Sequence, residues 1–275
     1  MSWSTFHHEA MATDFSITVA HSDRTYAAQA AAAAWRELDR LETELSRFVE
    51  SSDIARANRL QRGETLPIGD DALRCLLLAA EFAVATHRAF DAAYASEGIA
   101  EGPPFTVDPD NHTLTSRCDR LHLDLGAIGK GYALDQLAAV LREWDLSRAC
   151  LQSGGSTALA LEPPDELPGW PIGIGDGAAY RPLPLANVAL SGSGIAVKGA
   201  HLQNPRTRET AGRGSRVWAL ASTAAASDAL STAFFVMPND EVAAFCEARP
   251  EIGAALAQGG DTLAVHGALR ERLPT

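Results

Sequence analysis

Apolar residues recur every three or four positions between residues 26 and 48. Trp35, Leu38, Leu41 and Leu45 share one stripe, while Glu42, Glu44 and Arg47 lie off it. That period predicts a long amphipathic helix, and the alanine-rich stretch 27–34 adds strong intrinsic propensity. Ahead of it, residues 15–20 alternate apolar and polar side chains in β-branched company, the mark of a strand with one wet face. Ser51, Ser52 and Asp53 offer capping oxygens to a short turn ending near Asn58. A second helix is expected over 70–87, with Phe90 and Asp91 where it ends. Residues 97–117 carry Gly102, Pro103 and Pro104, then Asp108, Pro109, Asp110 and Asn111, and read as loops around an edge hairpin.

The second half mixes shorter segments. Residues 122–125 read as a strand, 126–131 as a glycine-rich turn, and 132–144 as a helix with Leu134, Leu137, Val140 and Leu141 on one side. Further strands are expected at 150–152, 171–174, 185–190, 195–198 and 217–221, with a proline-rich loop at 162–168. Helices are expected at 223–236 and 240–247, and a final hairpin at 254–257 and 262–266. Strands and helices come in clusters without strict alternation, which favours an α+β fold with antiparallel sheets. Each half shows strands, then helices, then more strands, so a duplicated architecture is open.

Length and composition narrow the function classes. A chain of 275 residues, 46% hydrophobic and 21% charged, is long enough for one large domain or two small ones and excludes disorder. The net charge of -12 and the lack of any basic run exclude nucleic acid and anionic membranes as partners. No apolar stretch approaches the roughly 20 residues of a membrane span. Residues 1–12 show neither a basic-then-apolar leader nor a cysteine for lipid attachment, so the expected location is cytoplasmic. Cys75, Cys118, Cys150 and Cys246 form no CxxC pair and are expected to be buried free thiols.

Four segments could hold chemistry. Between Asp124 and Asp135, Gly126, Gly129 and Gly131 precede a helix, so backbone amides and the helix dipole could meet a phosphate. The spacing matches neither a dinucleotide fingerprint nor a Walker loop, and the glycines equally suit a tight strand-to-helix crossing. Asp228 and Thr232 lie four apart on a helix with Ser231 beside them, a partial set of hard oxygen ligands for Mg2+; capping by Ser227 and Asp228 is the rival explanation. His201 could take a proton from a hydroxyl, and Arg206 could face phosphate. Residues 153–156, with Gly154 and Gly155, could bring amides to a ligand or form a plain β-turn.

In this order, the motifs resemble the ApbE family, the FAD:protein FMN transferases. Residues 11–15 (MATDF) are similar to its M-G-T-x-[FY] opening, 45–48 (LSRF) with Ser52, Asp53, Ile54 and Asn58 to its LSRF segment, and 89–91 (AFD) to its FD motif. Residues 124–135 (DLGAIGKGYALD) resemble its DLGGIAKGYAVD signature. Residues 154–155, 191–192, 201–207 (HLQNPRT) and 227–237 (SDALSTAFFVM) are similar to its GG, SG, HxxxPxTG and [AS]DALATA elements.

The resemblance implies an α+β fold like a duplicated T-fold, with the chain as one domain of two intimately packed halves. It implies an enzyme that binds FAD, splits the pyrophosphate with Mg2+, releases AMP and joins FMN to a Thr or Ser hydroxyl of a target flavoprotein. By the same resemblance, Met11, Phe48, Ala89, Phe90, Asp91, Asp124, Lys130, His201 and Leu202 line the FAD pocket. The Ala127 carbonyl, Asp228 and Thr232 hold the metal, with Ser231 where some members place another Asp. His201 is the expected general base, with Asp228 acting through the metal. Phe48 replaces a common Tyr, keeping the stacking face. Arg208 follows Thr207 where Gly is usual, and Ser156 follows Gly155 where Asn is frequent. Many family members are exported lipoproteins, unlike the location expected here. Rival readings are an FAD pyrophosphatase releasing FMN and AMP, a non-catalytic FAD-binding protein, and a module without a ligand.

Overall fold

The computed structural model describes residues 3–175, 180–194, 204–207, 216–259 and 262–273. The chain opens with a hairpin of β1 (Trp3–Ala10) and β2 (Thr13–Ala20), followed by α1 (Arg24–Leu45) and the short α2 (Asp53–Ala57). Then come β3 (Thr65–Pro67), α3 (Asp70–Ala85), β4 (Phe105–Asp108), β5 (Thr113–Ser116) and α4 (Gly129–Glu143). Five strands follow: β6 (Ala149–Ser153), β7 (Thr157–Ala160), β8 (Trp170–Ile174), β9 (Arg181–Leu185) and β10 (Val188–Ser193). The chain closes with β11 (Val217–Ala221), α5 (Ala224–Val236), α6 (Asn239–Glu247), β12 (Gly253–Ala257) and β13 (Leu263–Gly267).

Eight strands form one antiparallel sheet in the order β1-β2-β6-β7-β10-β11-β12-β13. A second sheet runs β3-β5-β4, and β8 pairs with β9 as a separate ribbon. Side chains alternate across a strand, and the large sheet buries both faces in this way. Leu151, Leu159, Ala189, Ala219 and Ala254 join the larger core with α1, α3, α4, α5 and α6. Their neighbours Cys150, Ala160, Leu190, Leu220 and Ala255 join a smaller core under the β8–β9 ribbon, closed by Trp170, Leu183 and Leu269. The α+β, antiparallel expectation holds.

Local chemistry sets the element ends. Asp23 caps α1 by accepting from the Thr25 and Tyr26 amides at 2.9 and 3.0 Å. The helix stops at Leu45, three residues before the sequence pattern suggested, because Ser46 turns extended. Arg47 and Phe48 therefore leave the helix. The Met11–Ala12 turn joining β1 to β2 has φ of 49° and 56°, as a two-residue hairpin loop matched to strand twist demands.

Several expectations shift. Residues 122–125 form no strand; the Asn58 side chain stands in for a partner strand, donating to the Leu123 carbonyl at 2.9 Å and accepting from its amide at 2.6 Å. The expected strand at 185–190 straddles the turn between β9 and β10, and α4 starts three residues earlier than expected, inside the glycine segment. The expected strand at 195–198 lies outside the described residues. The strands β1, β3, β7 and β9 had no counterpart in the sequence reading.

Two helices meet at Gly131. A Cβ there would stand 2.2 Å from the Ala224 carbonyl oxygen, so α4 and the start of α5 touch backbone to backbone. Beside this contact the Tyr132 hydroxyl donates to buried Asp71 on α3, whose other oxygen accepts from Arg40 of α1 at 2.6 Å. All four cysteines are buried and free, as expected.

Gly131→Ala is expected to destabilise the protein by about 3 kcal/mol, since backbone on the facing side cannot give way. Gly155→Ala, with nothing within 4 Å of the new Cβ, should be near neutral in the same chemical denaturation experiment.

The end of the sheet generates a pH dependence. His266 of β13 donates from Nε2 to the Asn239 Oδ1 at 2.9 Å, and its buried Nδ1 has no partner among the described residues. Burial, with Arg270 nearby, holds this imidazole below its ordinary value. The neutral ring is the folded form, so its contribution is present above about pH 6.5 and lost as pH falls through the folded value. Thermal midpoints should decline from pH 7 to 5, and His266→Gln should flatten that decline.

Candidate active site

The glycine-rich turn builds the site's floor. The Asp124 Oδ1 accepts from the Gly126 amide at 2.8 Å, and the Leu125 carbonyl accepts from Ile128 at 3.0 Å and Gly129 at 2.6 Å. Lys130 folds back to donate to the Gly126 carbonyl. α4 begins with neither a side-chain cap nor an acidic residue in its first turn. The Gly129 and Gly131 amides already have acceptors, so what this helix start offers an anion is the positive end of its dipole.

A cavity of about 370 Å³ opens over this turn. It brings together four of the expected FAD residues, Met11, Phe48, Asp124 and Lys130, from elements far apart in sequence. Phe48 is 79% exposed at its rim, an unusual position for a large apolar ring. The Arg47 guanidinium lies 4.2 Å from the Phe48 ring centroid, and its Nε is 3.2 Å from the Asp124 Oδ2. Met11 is fixed by its amide, which donates to the Glu42 Oε1 at 2.8 Å.

The remaining expected residues are distributed differently. Ala89 and Phe90 are buried in the core. Asp91 accepts from the Ala93 amide at 2.8 Å, pairs with Arg88, and lines a second cavity of about 520 Å³ between α3 and β4. Ala127 is half-buried in the glycine-rich turn. His201 and Leu202 lie outside the described residues. Residues 153–156 make the β6–β7 turn, with Gly154 at φ 54° and close against the Thr13 side chain. Arg206 does not face an open phosphate site. Its guanidinium makes a two-pronged pair with Glu241 at 2.6 and 2.8 Å and donates to the Thr86 and His87 carbonyls.

Behind the turn stand the residues on α5. Asp228 is 1% exposed, and its Oδ2 accepts from the Gly131 amide at 3.4 Å, a long contact. Ser231 is engaged: its hydroxyl donates to the Asp228 carbonyl at 2.9 Å and lies 2.9 Å from the Ser193 hydroxyl. Thr232, one turn beyond Asp228, has a buried hydroxyl with no hydrogen-bond partner among the described residues. A buried, unpaired hydroxyl costs about 1–3 kcal/mol and asks for an explanation. Among the described residues no group of three or more His, Cys, Asp or Glu could hold a metal ion. One carboxylate and one hydroxyl fit only an ion that takes its other oxygens from elsewhere, as Mg2+ does from phosphates and water.

Three contributors escaped the sequence reading. Glu42 was seen only as a residue off the helix stripe, and Arg47 only as that and as a letter of the LSRF motif. Asp135, last residue of the glycine-rich motif, accepts from the Ala224 and Ala225 amides at 2.8 and 2.9 Å and so caps α5 from α4. Burial pushes its carboxyl up to about 6 against those two amides.

The family model for the ApbE family matches residues 11–256. The chain belongs to the ApbE family. Similar solved structures include flavin transferase ApbE from Vibrio cholerae, with 17% identity, 99% of each chain covered and a TM-score of 0.84. The flavinyl transferase ApbE from Pseudomonas stutzeri has 18% identity over 100% of this chain and 97% of its own, with a TM-score of 0.85. The ApbE protein of Thermotoga maritima shares 21% identity over 100% of both chains, also with a TM-score of 0.85. At these identities the likeness is one of fold. No curated protein matches the chain. Among the described residues of this ApbE family member, no helix is long and apolar enough to cross a membrane.

Thr232→Val should raise the metal-free thermal stability by about 1 kcal/mol, because it replaces an unpaired buried hydroxyl with a methyl group. A loss of stability would mean that the hydroxyl has a partner in solution.

Proposed function

We propose that the chain is a Mg2+-dependent FAD:protein FMN transferase. The observation that carries the reading is the unpartnered Thr232 hydroxyl one turn from buried Asp228, directly behind the turn that floors an aromatic-rimmed cavity. Family membership and the flavin transferases among the similar structures supply the reaction class.

In this reading FAD lies across the cavity and the glycine-rich turn. Phe48 offers its exposed face to the flavin or adenine ring, while Met11 and Asp124 line the same cavity; Asp91, on the neighbouring cavity, is read as reaching another part of FAD. Lys130 swings from the Gly126 carbonyl to a phosphate, helped by the positive dipole end of α4. Asp228, Thr232 and the Ala127 carbonyl hold Mg2+, and Ser231 braces Asp228 from behind. Bound there, the ion neutralises charge on the diphosphate and stabilises its cleavage.

The transfer breaks one bond and makes one. The oxygen of an acceptor Thr or Ser hydroxyl bonds to the FMN phosphorus, the pyrophosphate bond to AMP breaks, and His201 takes the hydroxyl proton. AMP leaves with the bridging oxygen. Water in place of the acceptor would give FMN and AMP, so excluding water from the cavity determines which product forms. We also read residues 1–275 as a single unit of two halves, joined where α4 and α5 cap each other.

Mass spectrometry after incubation with FAD, Mg2+ and a candidate flavoprotein acceptor domain tests this reading. A gain on the acceptor equal to FMN, reduced about 100-fold or more by Asp228→Ala, is the expected result. Free FMN and AMP with an unmodified acceptor would make the protein a pyrophosphatase, and bound FAD without turnover would make it a binder.

A further inference from the structure

α4 and α5 exchange carboxylates across their closest contact. Asp228, four residues beyond Ala224 on α5, accepts from the Gly131 amide of α4 at 3.4 Å. Asp135, four residues beyond Gly131 on α4, accepts from the Ala224 and Ala225 amides of α5 at 2.8 and 2.9 Å. Residues four apart stack on one helix face, so the two carboxylates flank the Gly131–Ala224 contact, each one turn from it.

The start of α5 depends on this exchange. Its own cap residue, Thr223, accepts only from the Ala226 amide, at 3.2 Å. The two preceding amides are held from α4, by one carboxylate oxygen each. Asp228 and Thr232 follow on the next two turns, on a helix whose origin is pinned by a residue from another element. Asp135 is not among the residues lining the cavity over the glycine-rich turn. We propose that Asp135 is a positioning residue: it fixes the start of α5 so that the Asp228 carboxylate and the Thr232 hydroxyl face the glycine-rich turn in ligating register. This rests on the Mg2+ reading above.

The test pairs Asp135→Asn with Asp23→Ala, which removes the α1 cap. Asp23 caps the start of α1 by accepting two amides on its Oδ1, at the far end of a 22-residue helix whose other end reaches the cavity, roughly 33 Å away at 1.5 Å per residue. Both variants should lower the thermal midpoint by similar amounts. Only Asp135→Asn should weaken Mn2+ binding, followed by electron paramagnetic resonance with Mn2+ standing in for Mg2+, by about tenfold. It should also lower kcat by about 10- to 100-fold while KM for FAD stays within about twofold.

Asp135→Glu keeps the charge and both acceptor oxygens on a stem one methylene longer, so it should retain the thermal midpoint and still weaken Mn2+. Equal thermal losses with unchanged Mn2+ binding and kcat would make Asp135 a helix cap only and overturn the proposal, as would wild-type Mn2+ binding in Asp135→Glu. If Asp228→Ala also left Mn2+ binding intact, the metal reading itself would fall, and this proposal with it. Loss of Mn2+ binding in Asp228→Ala alone would overturn only the role of Asp135.

Discussion

The contact between Gly131 and the Ala224 carbonyl is the constraint on which the rest of the structure depends. A Cβ there would stand 2.2 Å from that oxygen, well inside van der Waals contact, and would force the two helices apart. The backbones meet instead, and three things follow from one missing Cβ. The amides at each helix start come within reach of a carboxylate on the other. The glycine-rich turn lies against Asp228, although 97 residues separate Gly131 from it. The larger core closes over a sheet face lined by small residues such as Ala189, Ala219 and Ala254.

The same region trades stability for chemistry. Asp228 is buried with one long hydrogen bond from the Gly131 amide, and the Thr232 hydroxyl has none. A core built only for stability would place apolar groups at both positions. By contrast, the nearby Arg40–Asp71–Tyr132 chain is fully satisfied and serves to tie α1, α3 and α4 together. Satisfied polar groups brace the scaffold, and the unsatisfied ones lie behind the floor of the cavity. That division is what an enzyme with a preorganised site requires.

Much of this was legible in the sequence, and the misses have physical causes. α1, α5 and α6 were visible because burial repeats on the helical period, and β2, β6 and β11 because apolar residues run in compact β-branched or alternating groups. β1 was missed because Trp3–Ala10 carries His7, His8 and Glu9 on an edge strand with little buried surface. β7 and β9 are short and rich in Ala or Pro, residues that advertise no strand. The stretch 122–125 looked like a strand since Leu121, Leu123 and Leu125 alternate, yet its hydrogen bonds go to the Asn58 and Ser96 side chains and the Ala92 carbonyl, which no local pattern reveals. Within the site, motif order located Met11, Phe48, Asp124 and Lys130 on one cavity. Asp135 was read only as a letter of the motif, because its role is a contact 89 residues away in sequence.

The buried cysteines have one further consequence. Cys75 sits in α3, Cys118 in the loop after β5, Cys150 in β6 and Cys246 in α6, and none is paired. Burial pushes the Cys150 and Cys246 thiols up to about 12 and Cys75 higher still, so the reactive thiolate is scarce in the native state. The fold therefore needs no oxidant to form and presents no ready thiol to one. Each sulfur becomes modifiable only when its own part of the molecule opens, so alkylation rates at these four positions divide the protein's breathing motions among the α3 helix, the loop after β5, the sheet and the α6 helix.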